Sequence, residues 1–373
     1  MAMRRERGGF TLIELLVVIS IIALLIGILL PALGKARVSA RKVQTTANLR
    51  SMDQAAKTYG ADYDSLIPTF QFKPGEVPGH SRQNRDLALR VAGLPNTFQG
   101  KNEAARIQQI MYFRDAFPDA DMPEDPIERH TPFPLYSHIV ASRHAEIPMP
   151  AEYTVSPGDA ARSDWVKNPQ EFLDAELRGE GGHTFEPPDT GGRFRWMFSS
   201  SFTITSAALS NDLGNGDNDE NFNVNAMSTI SNRWTLAGKF GGQATRTFDD
   251  VRAPSNKVYY YGPYDYYSSN SSLHMGFDEA NIPIVSFDGS AQFIDVEDIN
   301  VGWHSNNPVF TGTARYIYVK QPAFDNNPAV GTSNPRRIMR CQNTRFGLEG
   351  VDFGGESIIG EERAKAFVRK TGG

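Results

Sequence analysis

Cys341 is the only cysteine in 373 residues, which excludes an intrachain disulfide. Packing, or a bound metal, must then hold any globular part together. A lone thiol of this kind reads as a small buried apolar residue rather than a reactive one. Positive charge is scarce as well: 38 Lys and Arg against 43 Asp and Glu leave a net charge of −5, and no nucleic-acid partner is expected from that balance. The small basic cluster Arg336, Arg337, Arg340 and Arg345 reads as a solvated face. His-Glu-x-x-His, Gly-x-Ser-x-Gly and a phosphate-binding glycine loop are all missing, so no catalytic residue is assigned and the chain is read as not an enzyme. The seven histidines are scattered; His130, His138 and His144 form the one loose group, and His130 and His144 read as solvated loop residues beside proline-rich segments. No apolar run of bilayer length recurs after Leu33, so the remainder is expected to be soluble.

What the chain does have is concentrated at its start. A basic leader from Met1 to Arg7 is followed by Gly8-Gly9-Phe10-Thr11-Leu12-Ile13-Glu14, and then by an apolar run to Leu33 in which Glu14 is the single charge. Residues 12–30 make about 28 Å of helix, close to the hydrocarbon thickness, so the segment spans a membrane once. Arg4, Arg5 and Arg7 precede the span; by the positive-inside rule the leader stays cytoplasmic and everything after Leu33 crosses. A carboxylate within such a helix costs roughly 2.5–3.5 kcal/mol at its centre, so a retained Glu14 needs a partner or a purpose. A secretory signal peptide cut near 32–36 would have a shorter apolar core of about 7–15 residues. An ordinary signal anchor, with Glu14 near the interface, explains the hydrophobicity and leaves the Gly-Phe-Thr-Leu-Ile-Glu string to coincidence.

That string resembles the type IV prepilin family, whose leader ends in Gly and whose mature chain begins Phe-Thr-Leu-Ile-Glu. The resemblance implies that a prepilin peptidase cuts after Gly9 and N-methylates Phe10, leaving a formal charge of −7 once three Arg and one Glu are lost. It also implies that the new amine pairs with Glu14 of a neighbouring subunit, that Pro31 loosens the helix, and that other pilin-like subunits pack through the N-terminal helix at the inner membrane. The stretch Asn48-Leu49-Arg50, through Ala55 and Tyr59 to Asp62 and Pro68, is similar to the one that follows the stalk in large pseudopilin-like proteins of secretion systems.

The implied fold is α+β and pilin-like, a long N-terminal transmembrane and stalk helix packed on an antiparallel β-sheet head with loop and short-helix insertions. The organisation reads as leader 1–9, transmembrane and stalk helix 10–60, loop-rich insertion 61–192 and β-rich head 193–373. Beyond Pro31 an apolar stripe through Ala36, Ala40, Val43 and Ala47, then Leu49, Met52, Ala56 and Tyr59, predicts an amphipathic continuation. Helices are predicted over 102–117 and 168–177, the second with Asn168 as cap, Pro169 in the first turn and Gly179 as stop. Segments 70–100 and 118–192, rich in Pro, Gly and charge, read as long loops. Strands are predicted over 193–205, 233–236, 257–261, 282–287, 290–296 and 315–320, with Asp288-Gly289 as a two-residue type I′ hairpin turn.

Two further features remain. His274, Asn281, Asp288 and Gly289 are similar to a His, Asn and Asp-Gly arrangement of large pilin-like proteins in one bacterial family, with a longer gap of 14 positions from His274 to Asp288; an ordinary hairpin beside a surface histidine is the other reading. Residues 211–220 carry Asp212, Asn215, Asp217 and Asp219, hard oxygen donors of the kind Ca²⁺ takes at about 6–8 ligands. The segment reads as a Ca²⁺ loop or a solvated acidic turn; no cofactor is required. The function expected is a prepilin-like subunit of a type IV pilus or type II secretion pseudopilus, its large head outside the cytoplasm and on the filament or cell surface after assembly. A solitary membrane-anchored binding domain or hydrolase that never polymerises is the alternative.

Overall fold

The computed structural model describes residues 11–120, 133–179, 182–187, 193–209, 225–227, 234–236, 246–268, 272–301, 315–318, 320–321, 323–324, 336–338, 340–341 and 347–355. Helix α1, Leu12–Asp62, is 51 residues long and contributes to two compact units, Met1–Val43 and Gln44–Gly373.

In the first unit the apolar side chains of α1 bury nothing: Leu12 is 86% exposed and Leu24 65%. The most apolar 18-residue window has a mean hydropathy of 3.1, with none of it buried. Pro31 sits within the continuous helix and offers no N–H to the carbonyl of Gly27, one turn back.

In the second unit α1 behaves differently. Thr45, Asn48, Leu49, Met52, Asp53, Ala55, Ala56 and Gly60 are buried, spaced as one helical face. Burying a side chain such as Leu49 stabilises by roughly 1.5–3 kcal/mol. The predicted stripe is therefore corrected in its first half: Ala36, Ala40, Val43 and Ala47 are exposed, and burial begins at Thr45. Three- and four-residue spacing identifies a face that can be buried; it does not tell where the covering surface starts.

The same unit contains α2 (Arg85–Ala92), α3 (Phe98–Ala116), α4 (Phe133–Tyr136), α5 (His138–His144), α6 (Ala160–Lys167) and α7 (Pro169–Leu177). Several of these replace predicted loops. In α2, Leu87, Ala88 and Val91 make a short buried face that charged neighbours obscure in composition. Thr97 caps α3 by accepting from Gly100 N at 3.2 Å, and Asp159 caps α6 by accepting from Arg162 N at 3.1 Å. Asn168 precedes α7 as predicted, but its side chain makes no capping bond.

The strands are β1 (Thr203–Ile204), β2 (Asn225–Met227), β3 (Trp234–Leu236), β4 (Val258–Tyr261), β5 (Tyr264–Asp265), β6 (Leu273–His274), β7 (Asn281–Ser286), β8 (Ala291–Asp295), β9 (Arg315–Ile317) and β10 (Arg336–Ile338). The main sheet has the order β1-β4-β7-β8, and each of its pairings is antiparallel. A long N-terminal apolar helix followed by a globular part with an antiparallel sheet is the α+β, pilin-like layout expected. The register shifts between Val258 and Tyr260, and such a bulge turns two successive residues to one side. Tyr259 and Tyr260 accordingly both join the cluster that contains Leu49 and Met52, whereas Val258 and Tyr261 join a second cluster with Ile282, Ile284, Cys341 and Phe353. Cys341 is fully buried, as expected. The first six residues of the strand predicted over 193–205 are a 3₁₀ helix, Arg193–Phe198, and only Thr203–Ile204 of that range is strand. Its Phe194, Trp196, Met197 and Phe198 are all buried, a consecutive rather than alternating pattern.

Candidate functional site

At the head of α1, Glu14 is the third residue of the first turn. Its Oε2 accepts from Thr11 N and from Thr11 Oγ1, both at 2.8 Å, while Glu14 N donates to Thr11 Oγ1 at 3.2 Å. This is a capping box: cap residue and third residue satisfy each other's end groups, and the carboxylate sits at the positive end of the helix dipole. Sequence reasoning passed over Thr11 as a partner, although Thr-x-x-Glu ahead of an apolar run is the signal that finds it. The acid therefore has local donors, yet it remains exposed and open to a further cation. Gly9 and Phe10 lie outside the described residues.

The four residues singled out in the head fall into two places. His274 is 2% exposed, not a surface histidine. Its Nδ1 accepts from Gly276 N at 3.0 Å, and its ring lies 5.0 Å from those of Tyr264 and Tyr318. Burial, with Arg337 nearby, pushes its pKa down to about 3, so it is a neutral core residue. Asn281 starts β7 and donates through Nδ2 to Asp295 Oδ1 at 2.6 Å, pinning the open end of the β7 and β8 pair.

Asp288 and Gly289 make the closed end of that hairpin, and here the predicted turn type is corrected. Gly289 N bonds Ser286 O and Ser286 N bonds Ser290 O, both at 2.9 Å, so the loop has three residues. Only Gly289, at φ +91°, is left-handed in it. A type I turn closed by a left-handed glycine is the three-residue solution. Asp288 escapes positive φ because its carboxylate accepts from Ser290 N and Oγ at 2.9 and 2.7 Å, an Asx turn. Burial acts to raise the Asp288 carboxyl, but the Ser290 bonds, the Ser255 hydroxyl and the Lys57 charge together hold it below its usual value.

The turn abuts α1. A Cβ on Gly289 would lie 3.0 Å from Asp53 Oδ2 and 3.1 Å from Lys57 Nζ. Lys57 Nζ bonds Asp53 Oδ2 at 2.7 Å across one helical turn, and Asp53 Oδ1 has no hydrogen-bond partner. Burial raises the Asp53 carboxyl, opposed by Lys57 and reinforced by Asp288. The Asp-Gly element is thus a docking contact between hairpin and helix, and Asp53 and Lys57 are the partners that sequence reasoning missed.

Other candidates separate. Asp212, Asn215, Asp217 and Asp219 lie outside the described residues, as do His130 and Arg345. His138 is buried in α5, its pKa pushed down to about 3 by burial and by Arg162. His144 Nε2 lies 2.9 Å from Asp62 Oδ2. The basic cluster is corrected too. Arg340 is 6% exposed and reaches Asp278 Oδ1 at 2.7 Å, and Arg337 stacks 3.7 Å from the centre of the Phe277 ring; both are packing cations rather than a solvated face. No group of three or more His, Cys, Asp or Glu able to hold a metal occurs among the described residues.

Residues 4–30 match the model of the prokaryotic N-terminal methylation motif, the prepilin-type cleavage and methylation signal of pilins and pseudopilins. The matched segment runs through Gly9, Phe10 and Glu14 into the exposed apolar helix, so the chain carries a prepilin signal joined to a transmembrane helix. No curated protein and no solved structure matches the chain.

Proposed function

We propose that the chain is a prepilin-like subunit, cut after Gly9 and N-methylated at Phe10 by a prepilin peptidase, that assembles into a type IV pilus or type II secretion pseudopilus. The observation that carries this reading is the methylation motif over residues 4–30, continuous with an apolar helix whose side chains are exposed from Leu12 to Leu33. Exposed apolar surface of that extent needs a non-aqueous partner. Lipid supplies it before assembly and neighbouring helices supply it afterwards.

Cleavage frees an α-amine on Phe10, four residues before Glu14 in the sequence. In a low-dielectric bundle that amine and the carboxylate of an adjoining subunit offset each other's desolvation, which favours one register between helices. Thr11 holds the carboxylate in place until then, through the bonds described above. Pro31, one backbone bond short, marks where the helix gives most easily as the subunit leaves the membrane. The leader lies on the cytoplasmic side and the head outside it. The bulk of the head suits a minor or tip position or an adhesive surface better than dense packing as the main subunit. Ca²⁺ held by Asp212, Asn215, Asp217 and Asp219 would brace that acidic segment.

Mass spectrometry of the mature amino terminus from native membranes tests the reading. The expected product starts at an N-methylated Phe10 and disappears in Gly9→Ala. An intact leader, or a terminus beyond Leu33, defeats it and leaves an anchored or secreted domain that does not polymerise.

A further inference from the structure

We propose that α1, just past its apolar run, carries a cationic collar that binds the phosphate headgroups of anionic lipids on the face of the membrane where the head emerges. The inference rests on the membrane-inserted reading above. Between Glu14 and Asp53 the sequence has no acidic residue, while Lys35, Arg37, Arg41, Lys42 and Arg50 are basic. The helix is unbroken over this stretch, so axial positions follow from its rise. Lys35 and Arg37 stand about 3 and 6 Å beyond Leu33, with Arg41 and Lys42 about 12–14 Å beyond it. A headgroup layer is about 5–7 Å thick on each side. Lys35 and Arg37 fall within it, and the other two lie within about one screening length of it.

Helical phase adds a second argument. Lys35 and Lys42 are about 20° apart around the axis and Arg37 and Arg41 about 40° apart, on roughly opposite sides. Whichever way the helix leans, two cations face the lipid. Lys35, Arg37 and Arg41 are exposed. Arg41 and Lys42 also make contacts within the chain, so the binding is assigned first to Lys35 and Arg37. The one acid of α1 in this unit, Glu14, is 21 residues from Lys35, about 31 Å of helix. No carboxylate of that helical segment is near enough to neutralise the collar.

The collar is costly unless something answers it. Lys and Arg close to the far end of a span oppose translocation, and the four here outnumber the three leader arginines, Arg4, Arg5 and Arg7. Headgroup phosphate is the anion that Lys35 and Arg37 meet at that depth once the segment has crossed. Each cation near an anionic surface contributes about fivefold in affinity.

The test uses the full chain purified from native membranes and reconstituted in nanodiscs of equimolar phosphatidylcholine and phosphatidylglycerol. Native mass spectrometry then reads the retained lipid and the amino terminus in one spectrum. The expected result is at least fivefold enrichment of phosphatidylglycerol, lost in the Lys35→Gln, Arg37→Gln double variant and reversed in preference by Lys35→Glu, Arg37→Glu. Enrichment that survives both double variants overturns the proposal. So does no enrichment in the wild type, including the case where self-association, weakened by the same variants, neutralises the cations instead. An intact leader with enrichment present counts against the prepilin reading alone; a methylated Phe10 without enrichment counts against the collar alone.

Discussion

Helix α1 uses one backbone geometry for two opposite purposes, and two of its three acids, Glu14 and Asp53, make the contrast plain. From Leu12 to Leu33 its large apolar side chains are exposed and the acid, Glu14, is held by Thr11 in its own first turn. From Thr45 to Gly60 one face is buried and the acid on it, Asp53, is held by Lys57 one turn later, against the Gly289 turn. The first half would be unstable in water without lipid or neighbouring helices around it, and the second half brings its own protein partners. Polarity along the helix is meaningful only with the medium named: the apolar half is dressed for hydrocarbon, the mixed half for a core that tolerates acid and amide once they are bonded. Changes in the second half, and in the core it enters, should therefore register in the stability of the head, while changes in the first should not.

Acid should produce the largest effect. His138 and His274 are buried and neutral, each with a pKa pushed to about 3 from 6.5 by burial and a nearby arginine. A base depressed in the folded state contributes stability that is full above pH 6.5 and lost as pH falls toward 3, because the unfolded chain takes up the proton first. The loss approaches about 4–5 kcal/mol per histidine at the low end. Asp53, raised by burial, acts with the opposite sign from pH 3.8 upward but is one group against two. Denaturant melts of the full chain in detergent between pH 7 and 4 should show a steep fall that His138→Phe and His274→Asn each make shallower. A melt independent of pH in that range would mean both rings are solvated.

Leu49→Ala and Met52→Ala come next. Both residues are almost fully buried on the second half of α1, and truncation there costs about 2–5 kcal/mol. Gly289→Ala should follow at about 1–2 kcal/mol, from the left-handed backbone and the close approach to Asp53 Oδ2, with Lys57 Nζ the freer of the two neighbours to move. Equilibrium melts with the wild type as reference check all three. A neutral Gly289→Ala would show that the hairpin does not bear on α1.

The residues themselves explain what could be read in advance. The 19-residue apolar stretch, Glu14 in its first turn and the Asp288-Gly289 hairpin were visible because each is a local pattern: a run, a spacing, a dipeptide between strand-like segments. Harder to read was everything decided by distant partners. Ala36 to Ala47 and Leu49 to Tyr59 carry the same spacing, yet burial begins only at Thr45, because the residues that meet this face, Val155, Ser156, Ser200, Tyr267 and Gly289 among them, arrive from far along the chain. The aromatic run from Phe194 to Phe198 has strand-like composition and is 3₁₀ because all of its large side chains are buried together. Arg340 looked solvated until Asp278, 62 residues away, and the Ile299 carbonyl proved to be its partners. In the candidate site the acid is legible as the one charge of an apolar run, and its partner Thr11 as the first residue of a Thr-x-x-Glu box.

The smallest effect is the sharpest check on the contrast. Leu24→Ala removes as many carbons as Leu49→Ala from the same helix, with the same cost in helix propensity. Leu24 is 65% exposed and belongs to the first unit, so its removal forfeits no packing in the head. The head's melting free energy should shift by less than about 0.5 kcal/mol, several times less than for Leu49→Ala under identical detergent and salt. Hydrophobicity and helix position are matched in the pair, so only the surroundings differ. A loss comparable to that of Leu49→Ala would mean that the apolar half has a protein partner within its own chain, and the division of α1 into a lipid-facing and a core-facing half would fail with it.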